Sequence, residues 1–351
     1  MLNNRRILIT GNLGYIGSVM APWFRNQGYD VVGLDTGYFS GCNLIAGDDS
    51  LPTIQKDLRE IERQDLVGFG AVIHLAALSN DPIGNLNADW TREINGQGTI
   101  RLATLAKNAG IERFLFSSSC IMYGMSEAAV VDETAPLDPQ TEYARSKVDA
   151  EVALGLLADD GFSPTFCRNG TVYGASPRMR FDTVLNNLMG SAFTTGRVII
   201  HSDGTPWRPV VHVQDVARAF QAVLEAPRDL VHNQAFNTGC DELNHQIREL
   251  GEIVADTVPG CEVHIIPQPG ADQRTYKASF AKFKQTFPDF EFRWNAPKGA
   301  EELYTSFQRI GLTGREVQDK RFTRLSWLQH LLGTRMVDDS LRWVEPRARV
   351  A

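Results

Sequence analysis

The stretch RRILITGNLGYIG, residues 5–17, decides the fold class. Its first half is a short apolar run typical of a buried strand, and its second half places glycines at Gly11, Gly14 and Gly17. Glycines between a strand and a helix permit a tight turn and let the backbone approach a pyrophosphate at the helix N-terminus. Alone this spacing is weak evidence, because glycines at such turns often serve only steric needs.

Predicted strands and helices alternate through the first half of the chain. After a helix at 15–27, further strands are predicted in YDVVGLD (29–35), FGAVIHLAA (69–77), ERFLFSSS (112–119) and SPTFCRN (163–169). Helical stretches at 87–108 and within 138–161 separate the later strands. Such alternation implies right-handed crossovers and a parallel sheet, so we predict an α/β fold.

The pattern is looser after Gly170, where glycine and proline recur, and we expect a smaller, irregular second lobe. The segment VVHVQDVARAFQAVLEAP, residues 210–227, is predicted to be a strand and helix that return to the main sheet. The tail from Lys298 to Trp343 is predicted to be largely helical. It could cover the second lobe or extend a subunit interface, and the sequence does not decide between these.

Composition narrows the class of protein. With 351 residues and a net charge of −7, the chain has no basic footprint for nucleic acid or an anionic membrane. Its five scattered cysteines include no Cys-x-x-Cys pair, which predicts a reducing compartment with no disulfide framework and no metal site. The first residues do not resemble a signal peptide, and no apolar run approaches membrane-spanning length. We therefore expect a cytoplasmic protein.

Two aspartates follow the glycine turn. Asp35 ends the second predicted strand, near the distance expected for a carboxylate that binds the hydroxyls of an adenosine ribose. By itself it would be better interpreted as a solvated turn residue, but the preceding glycines favour ribose recognition. An aspartate there repels a 2′-phosphate, which favours NAD over NADP. Asp57 would accept a hydrogen bond from the adenine amino group, although a plain surface aspartate is nearly as good an interpretation.

Three polar residues suggest proton chemistry. YARSK places Tyr143 and Lys147 four residues apart, on one face of a helix. They could be merely an exposed aromatic–cation pair. Alternatively, the Lys147 ammonium lowers the phenol pKa, with help from an oxidised nicotinamide, so that Tyr143 exchanges a proton with a sugar hydroxyl near neutral pH. Ser119, at the end of the fourth predicted strand, would hydrogen-bond the same oxygen.

Taken together, these motifs resemble the extended short-chain dehydrogenase/reductase family, specifically its nucleotide-sugar epimerases and dehydratases. The resemblance covers residues 5 to about 220 and rests on GNLGYIG (11–17), Asp35, HLAA (74–77), SSSCIMYG (117–124), YARSK (143–147), RNGTVYG (168–174) and DGTPWRPVVHVQD (203–215). It implies a Rossmann-type, doubly wound parallel sheet that holds NAD, formed by residues 1–169 and about 211–237. A smaller mixed C-terminal lobe, 170–210 and 238–351, would hold a nucleoside-diphosphate sugar.

The resemblance also implies roles for individual residues. Ser119, Tyr143 and Lys147 correspond to the family's catalytic trio, and the last two also bind the cofactor. The further cofactor-binding residues would be Gly11, Gly14, Tyr15, Ile16, Gly17, Asp35, Asp57, Leu58, Ala76 and Ala77. The substrate-binding residues would be Ser119, Cys120, Asn169, Thr171, Asn186, Arg208 and Arg274.

The sequence departs from the family pattern on the substrate side. Thr171 stands where the family usually has an asparagine before Val-Tyr-Gly, and the nearest asparagine is Asn169. The sugar or its tilt is therefore expected to differ from the common members. Arg208 matches the diphosphate-binding arginine, since a guanidinium suits phosphate, although a surface pair with Asp215 is a credible second interpretation. Arg274 is a weaker candidate for a second phosphate contact.

The residues after Ser119 bear on the reaction. The family's 4,6-dehydratases have two acidic residues there, whereas this chain has Cys120 and Ile121. Isoleucine cannot exchange protons, and a thiol is a poor substitute for a carboxyl acid. Cys120 is interpreted as a packed neighbour, or as a proton donor or acceptor beside a transient ketone. We therefore expect epimerisation or keto reduction rather than dehydration.

Three functions are compatible with this resemblance: an NAD-dependent nucleotide-sugar epimerase, a 4-keto-sugar reductase that uses external reduced cofactor, and a catalytically inactive NAD-sensing or scaffold protein. The intact trio argues against the third. By family analogy, the helices at 87–108 and 139–157 predict a homodimer.

Overall fold

The computed structural model describes residues 4–48, 50–79, 81–125, 130–268 and 274–344, without the side chains of Asp81 and Asn85. The strands in these residues are β1 (Arg6–Thr10), β2 (Asp30–Asp35), β3 (Thr53–Gln55), β4 (Ala71–His74), β5 (Arg113–Ser119), β6 (Ser163–Asn169), β7 (Thr171–Tyr173), β8 (Arg197–Ile200), β9 (Trp207–His212), β10 (Gln234–Thr238), β11 (Asn244–Gln246) and β12 (Glu262–Ile265). The helices are α1 (Gly17–Asn26), α2 (Asp81–Leu86), α3 (Ala88–Thr91), α4 (Gly98–Asn108), α5 (Glu142–Leu157), α6 (Val184–Thr195), α7 (Val213–Glu225), α8 (Arg228–Val231), α9 (Ile247–Thr257), α10 (Ala281–Thr286), α11 (Ala296–Ile310), α12 (Gly314–Val317) and α13 (Arg324–Gly333).

The main sheet confirms the predicted doubly wound parallel architecture. Its seven strands run in the order β10-β6-β5-β4-β1-β2-β3, and every neighbouring pair is parallel. Successive residues of β1 face opposite cores: Ile7 and Ile9 pack with α1 and α7, whereas Leu8 packs with α4 and α5. From β1 the chain adds β2 and β3 on one side and then β4, β5, β6 and β10 on the other, so the strand order reverses between β1 and β4. Ligands of such sheets bind beyond the carboxyl ends of the strands at this switch point.

A second, smaller lobe contains the mixed sheet β11-β9-β7 and the parallel pair β12-β8. This arrangement corrects one prediction. The strand within 210–227 belongs to β9, which pairs with β7 and β11 and does not return to the main sheet. Helix α7 does pack on the main sheet, and the strand that joins the sheet is β10, beside β6. A buried apolar run does not indicate which sheet will bury it.

The predicted helix at 87–108 is interrupted. A π-helical turn at Arg92–Gln97 separates α3 from α4. Within this turn, Asn95 is buried; its Oδ1 accepts a hydrogen bond from the Leu78 N–H at 2.8 Å, and its amide donates to the Leu78 carbonyl at 3.1 Å. A helix residue thereby anchors the loop that follows β4.

The C-terminal tail divides between the two lobes. Helix α11 packs with α6 and α9 in the core of the second lobe. Residues 324–344, called here the C-terminal strap, return to the main sheet and pack against Tyr38, Leu78 and Trp90. Two strap indoles fix the loop after β2: Trp327 Nε1 donates to the Tyr38 carbonyl and Trp343 Nε1 to the Thr36 carbonyl, both at 2.7 Å. None of the helices in the described ranges combines the length and apolar character needed to cross a bilayer.

Candidate active site

A cavity of about 340 Å³ opens where the carboxyl ends of the main strands face the second lobe. It runs from the glycine turn, past the ends of β2, β4 and β5, to residues of the second lobe. Of the sequence-predicted site residues, it brings together Gly11, Gly14, Tyr15, Ile16, Gly17, Asp35, Asp57, Leu58, Ala76, Ala77, Ser119, Tyr143, Asn169, Thr171, Arg208 and Arg274. Lys147, Cys120 and Asn186 are not in the lining.

The glycine turn is as tight as its sequence requires. Gly11 has φ of +75°, and a Cβ there would lie 2.8 Å from the Ala76 nitrogen. A Cβ at Gly17 would lie 2.1 Å from the Gly11 carbonyl oxygen. Only glycine fits these two positions, and the cavity-lining backbone that leads into α1 is therefore free of side-chain bulk. This cradle fits a pyrophosphate at the N-terminus of α1.

At the far end of β2, Asp35 lies in the cavity wall. Its Oδ1 accepts a hydrogen bond from the Gly37 N–H at 2.8 Å, and its Oδ2 accepts one from the Leu13 N–H at 3.1 Å. Burial raises the pKa of this carboxyl group, and the two backbone donors oppose the rise. Asp57 also lines the cavity, but Arg59 engages it, with Nη2 2.7 Å from Oδ2 and Nε 3.0 Å from Oδ1. Ribose and adenine recognition by these carboxylates remain predictions.

Ser119 and Tyr143 both line the cavity. Ser119 ends β5, and Tyr143 lies in the first turn of α5, where the Thr141 hydroxyl caps the helix by accepting from the Ala144 N–H. Helical spacing brings Lys147 one turn further along, with its Nζ 5.7 Å from the Tyr143 ring centre. A serine and a tyrosine therefore line one cavity, and a lysine lies one helical turn from the tyrosine.

Lys147 is not the exposed cation that a surface pair would contain. It is 4% exposed, and its Nζ donates a hydrogen bond to the Ser117 carbonyl at 2.7 Å. Burial lowers its pKa to about 7, although the nearby Glu151 carboxylate acts in the opposite direction. The lysine charge is therefore sensitive to whatever occupies the cavity.

Two buried polar atoms near the end of β5 lack a hydrogen-bond partner within the described residues: Asn169 Oδ1 and Ser118 Oγ. Asn169 and Ser118 both line the cavity. The Asn169 amide nitrogen is already oriented, because it donates to Ser117 Oγ at 3.1 Å. Buried polar atoms are rarely left unpaired in native proteins, so this wall fits a polar ligand.

On the second-lobe side, Thr171, Arg208 and Arg274 line the cavity together. Arg208 is 9% exposed, and its Nη1 donates to the carbonyls of Trp207 and Arg274. The alternative pairing of Arg208 with Asp215 is not formed, because Asp215 pairs with Arg218 at 2.6 Å. Arg208 and Arg274 thus line the same part of the cavity.

Two of the predicted substrate-binding residues, Asn186 and Cys120, lie outside the cavity lining. Asn186 is fully buried outside the lining; it accepts from the Gly174 N–H and donates to the Tyr15 hydroxyl, at 3.1 and 3.0 Å. The Tyr15 hydroxyl in turn donates to the Gly174 carbonyl at 2.7 Å, so this pair links the glycine turn to the second lobe. Cys120 is fully buried beneath the cavity, and its Sγ donates to the Arg168 carbonyl. Burial raises the pKa of this thiol, which agrees with a packed neighbour.

Several lining residues were not among the predicted site residues. Arg180 and Asp182 form an ion pair at 2.7 Å, and Arg180 also donates to Ser79 Oγ. The local sequence could have indicated this pair, because in SPRMRFD, residues 176–182, two arginines and an aspartate interrupt apolar residues. Arg324, from the C-terminal strap, also lines the cavity. No local sequence pattern marks it, because it approaches the site only through the tertiary fold.

The carboxyl groups in the described lining are Asp35, Asp57 and Asp182. Each already accepts hydrogen bonds from the protein. Ile121 lines the cavity, at one of the two positions where the family resemblance implies an acid in a 4,6-dehydratase. The lining thus offers a phenol and a serine hydroxyl, and the two positions after Ser119 carry no carboxyl group.

Comparison with known proteins agrees with this arrangement. Residues 7–239 match the family described as the NAD dependent epimerase/dehydratase family. The UDP-glucose 4-epimerase of Bacillus subtilis (strain 168) is 30% identical over 331 residues, covering 85% of this chain and 94% of that one.

Solved structures share the fold. MoeE5 in complex with UDP-glucuronic acid and NAD is 26% identical, with a TM-score of 0.75 over 87% of this chain and 99% of that one. DesIV, a dTDP-glucose 4,6-dehydratase from Streptomyces venezuelae with NAD and TYD bound, is 22% identical, with a TM-score of 0.75 over 88% and 98% of the two chains. From its sequence, its fold and the cradle at its glycine turn, this chain belongs to the NAD-dependent epimerase/dehydratase family, and its cofactor is NAD.

Proposed function

We propose that this protein is an NAD-dependent epimerase of nucleoside-diphosphate sugars, which inverts a carbinol carbon by transient oxidation. The observation that carries the proposal is that the glycine turn, Ser119 and Tyr143 line one cavity, with Lys147 Nζ 5.7 Å from the Tyr143 ring centre. Hydride transfer at a carbinol needs a proton acceptor for the hydroxyl, and this trio supplies one.

The residues divide the chemistry as follows. NAD, when bound, supplies the reversible hydride acceptor. Ser119 hydrogen-bonds the substrate hydroxyl, and Tyr143 accepts its proton and later returns it. Lys147 in its ammonium form stabilises the phenolate by charge. Because the two sugar faces must both meet the cofactor, the sugar has to turn in the cavity between the two hydride transfers while its diphosphate stays held.

Arg208 and Arg274 are the proposed anchors of that diphosphate, since guanidinium groups bind phosphate oxygens in a bidentate manner. With Arg208 fixed through the Trp207 carbonyl, the anchor is rigid. The proposed division of labour gives NAD to the main-sheet domain and the sugar nucleotide to the second lobe. UDP-hexoses are the first substrates to test, because the Bacillus subtilis relative is named a UDP-glucose 4-epimerase and MoeE5 was solved with UDP-glucuronic acid. Thr171 in the usual asparagine position favours a sugar or a tilt unlike that of the common members.

The decisive experiment follows UDP-, TDP-, GDP- and CDP-sugars by NMR with purified protein and no added reductant. An epimerase interconverts two stereoisomers under these conditions and carries NAD through purification. Conversion of only a 4-keto sugar, and only with added reduced cofactor, would instead establish the keto-reductase. Release of a 4-keto-6-deoxy sugar from an intact hexose nucleotide would overturn the exclusion of dehydration.

We also propose a homodimer formed through α4 and α5. Its support is an apolar surface on these helices, where Leu156 is 84%, Val152 61% and Ile100 36% exposed. Burying such residues is a common reason for subunit association. Light scattering at micromolar concentration tests this: the wild type should have twice the chain mass, and Leu156→Glu should be monomeric. A monomeric wild type would refute the proposal.

A cytoplasmic location is likewise proposed. Its support is the five cysteines, which are free thiols and would suit a reducing compartment.

A further inference from the structure

Arg324 occupies an unusual position for a residue so far along the chain. It begins α13 at the start of the C-terminal strap, is 3% exposed, and lines the cavity together with the glycine turn. Its backbone N–H donates to Asp182 Oδ2 at 3.0 Å, and its Nη2 donates to the Arg178 carbonyl at 3.1 Å. Its guanidinium carbon lies 4.2 Å from the centre of the Phe39 ring.

One end of this guanidinium is unsatisfied. Arg324 Nη1 is buried and has no hydrogen-bond partner among the described residues. A buried donor without an acceptor is costly, and it is more costly when the group is charged. Although burial and the neighbouring Arg180 lower the pKa of Arg324 to about 10, the group remains cationic at neutral pH.

The carboxylates nearby do not supply the missing acceptor. Asp182 receives the Arg180 guanidinium at 2.7 Å and the Arg324 backbone N–H, so one carboxylate faces two buried arginines. Asp35 is within electrostatic range of Arg324, but its oxygens accept from the Gly37 and Leu13 N–H groups. The wall of the cavity therefore contains one buried, charged N–H donor whose missing acceptor an anion would supply.

The position of Arg324 indicates which anion. Its electrostatic neighbours include Asp35, at the adenosine end, and Tyr15, within the glycine turn. The pyrophosphate of NAD lies between these two points when the dinucleotide occupies the cradle. The arginines assigned to the sugar diphosphate, Arg208 and Arg274, lie instead on the second-lobe side.

We propose that Arg324 binds the pyrophosphate of NAD, so that the C-terminal strap forms part of the cofactor site. The strap is anchored to the loop after β2 through Trp327 and Trp343, which fixes Arg324 relative to the adenosine end. NAD binding and docking of the strap therefore stabilise one another. This inference uses only the cofactor and does not depend on which sugar reaction the protein catalyses.

The test measures binding to the full chain freed of NAD. Calorimetry with NAD, ADP-ribose and adenosine compares two ligands that contain a pyrophosphate with one that lacks it. Arg324→Gln should lower the affinities for NAD and ADP-ribose about tenfold or more, because hydrogen bonds between charged groups are among the stronger ones. Adenosine affinity should stay within about twofold, since adenosine has no phosphate to meet this residue.

The matched control is Arg321→Gln, three residues earlier. Arg321 pairs with Asp319 at 2.8 Å, and its side chain is 40% exposed, so its loss should leave all three affinities unchanged. Unchanged NAD affinity in Arg324→Gln overturns the proposal. Equal weakening of all three ligands also overturns it, because that result indicates a collapsed pocket. UDP is titrated alongside, and a loss confined to UDP binding would overturn the proposal by assigning Arg324 to the substrate.

If Arg324→Gln does not fold, Arg324→Lys keeps the charge and removes the guanidinium fork. It should weaken ADP-ribose more than adenosine, and equal effects on the two ligands would refute the role. Limited proteolysis gives an independent readout: NAD should slow cleavage within the C-terminal strap of the wild type, and should slow it less in Arg324→Gln. Equal protection in the two proteins would contradict the proposed linkage.

Discussion

The ammonium nitrogen of Lys147 lies 5.7 Å from the centre of the Tyr143 ring, and the lysine is 4% exposed. One helical turn thus separates the proposed base from a cation that the protein holds at a cost. The same burial that brings the lysine pKa to about 7 also lets its charge act strongly on the phenol.

Tyr143→Phe should remove the proposed proton acceptor without changing the shape of the cavity. We expect turnover to fall by about 10²–10⁴-fold, the usual contribution of acid–base catalysis, while NAD stays bound. Rates by NMR and cofactor content by absorbance check the two parts. Tyr173→Phe is a matched control, because its buried hydroxyl has no hydrogen-bond partner among the described residues. A fully active Tyr143→Phe protein would remove the tyrosine from the mechanism.

Lys147→Met should be inactive and, below pH 7, more stable than the wild type. In the folded wild type, burial lowers the pKa of Lys147 to about 7, so the buried side chain is charged only below about pH 7. In the unfolded chain the same lysine stays charged up to about pH 10.5. The penalty is therefore full below pH 7 and disappears as the pH rises from 7 to 10.5. The free energy of unfolding should rise by about 1–4 kcal/mol at pH 6, less whatever the unpaired Ser117 carbonyl costs.

Denaturant titrations at several pH values measure this difference. Lys107→Met is the control, because Lys107 also donates to a backbone carbonyl but is 32% exposed. The difference in free energy of unfolding between Lys107→Met and the wild type should not change between about pH 7 and 10.5. If the stability of Lys147→Met relative to the wild type is lower at pH 6 than at pH 10, burial does not disfavour the lysine charge.

Asp35 should determine the choice between the two nicotinamide dinucleotides. The wild type is expected to bind NAD at least about tenfold more tightly than NADP, because the carboxylate repels a 2′-phosphate. Asp35→Asn should narrow that ratio. Asp30→Asn, at the opposite end of β2 and with a side chain that is 66% exposed, should leave it unchanged. Comparable wild-type affinities for NAD and NADP by calorimetry would remove Asp35 from this role.

Cys120→Ala should keep most of the activity, because the thiol lies outside the cavity lining and donates to the Arg168 carbonyl. Its loss should cost about 1–2 kcal/mol of stability, which is typical of a small buried truncation. Cys167→Ala, in the core of the main sheet, controls for that stability effect. A loss of activity above tenfold in Cys120→Ala alone would support proton transfer by the thiol.

The parts of the site that local sequence encodes were predictable. The glycine turn, the end of β2 and the Tyr143–Lys147 spacing depend on neighbours in the chain, and the cavity lining includes Gly11, Asp35 and Tyr143 as expected. Asn186 and Arg324 depend on contacts 171 and 146 residues away, so no local pattern could reveal that one supports the Tyr15 hydroxyl and the other reaches the cavity. The same reasoning explains β9, whose apolar residues fit either sheet.

The π-helical turn at Arg92–Gln97 makes helix length a determinant of the cavity. A π turn is equivalent to one residue inserted into an α-helix, and it shifts all residues on one side by about 100° relative to the other. Deleting a single residue there would restore a regular helix and turn Asn95 away from Leu78, releasing the wall that contains Ala76 and Ala77. Related proteins that lack one residue in this helix should therefore have a different loop after β4. Related proteins that lack residues only in surface loops should keep the loop after β4 unchanged.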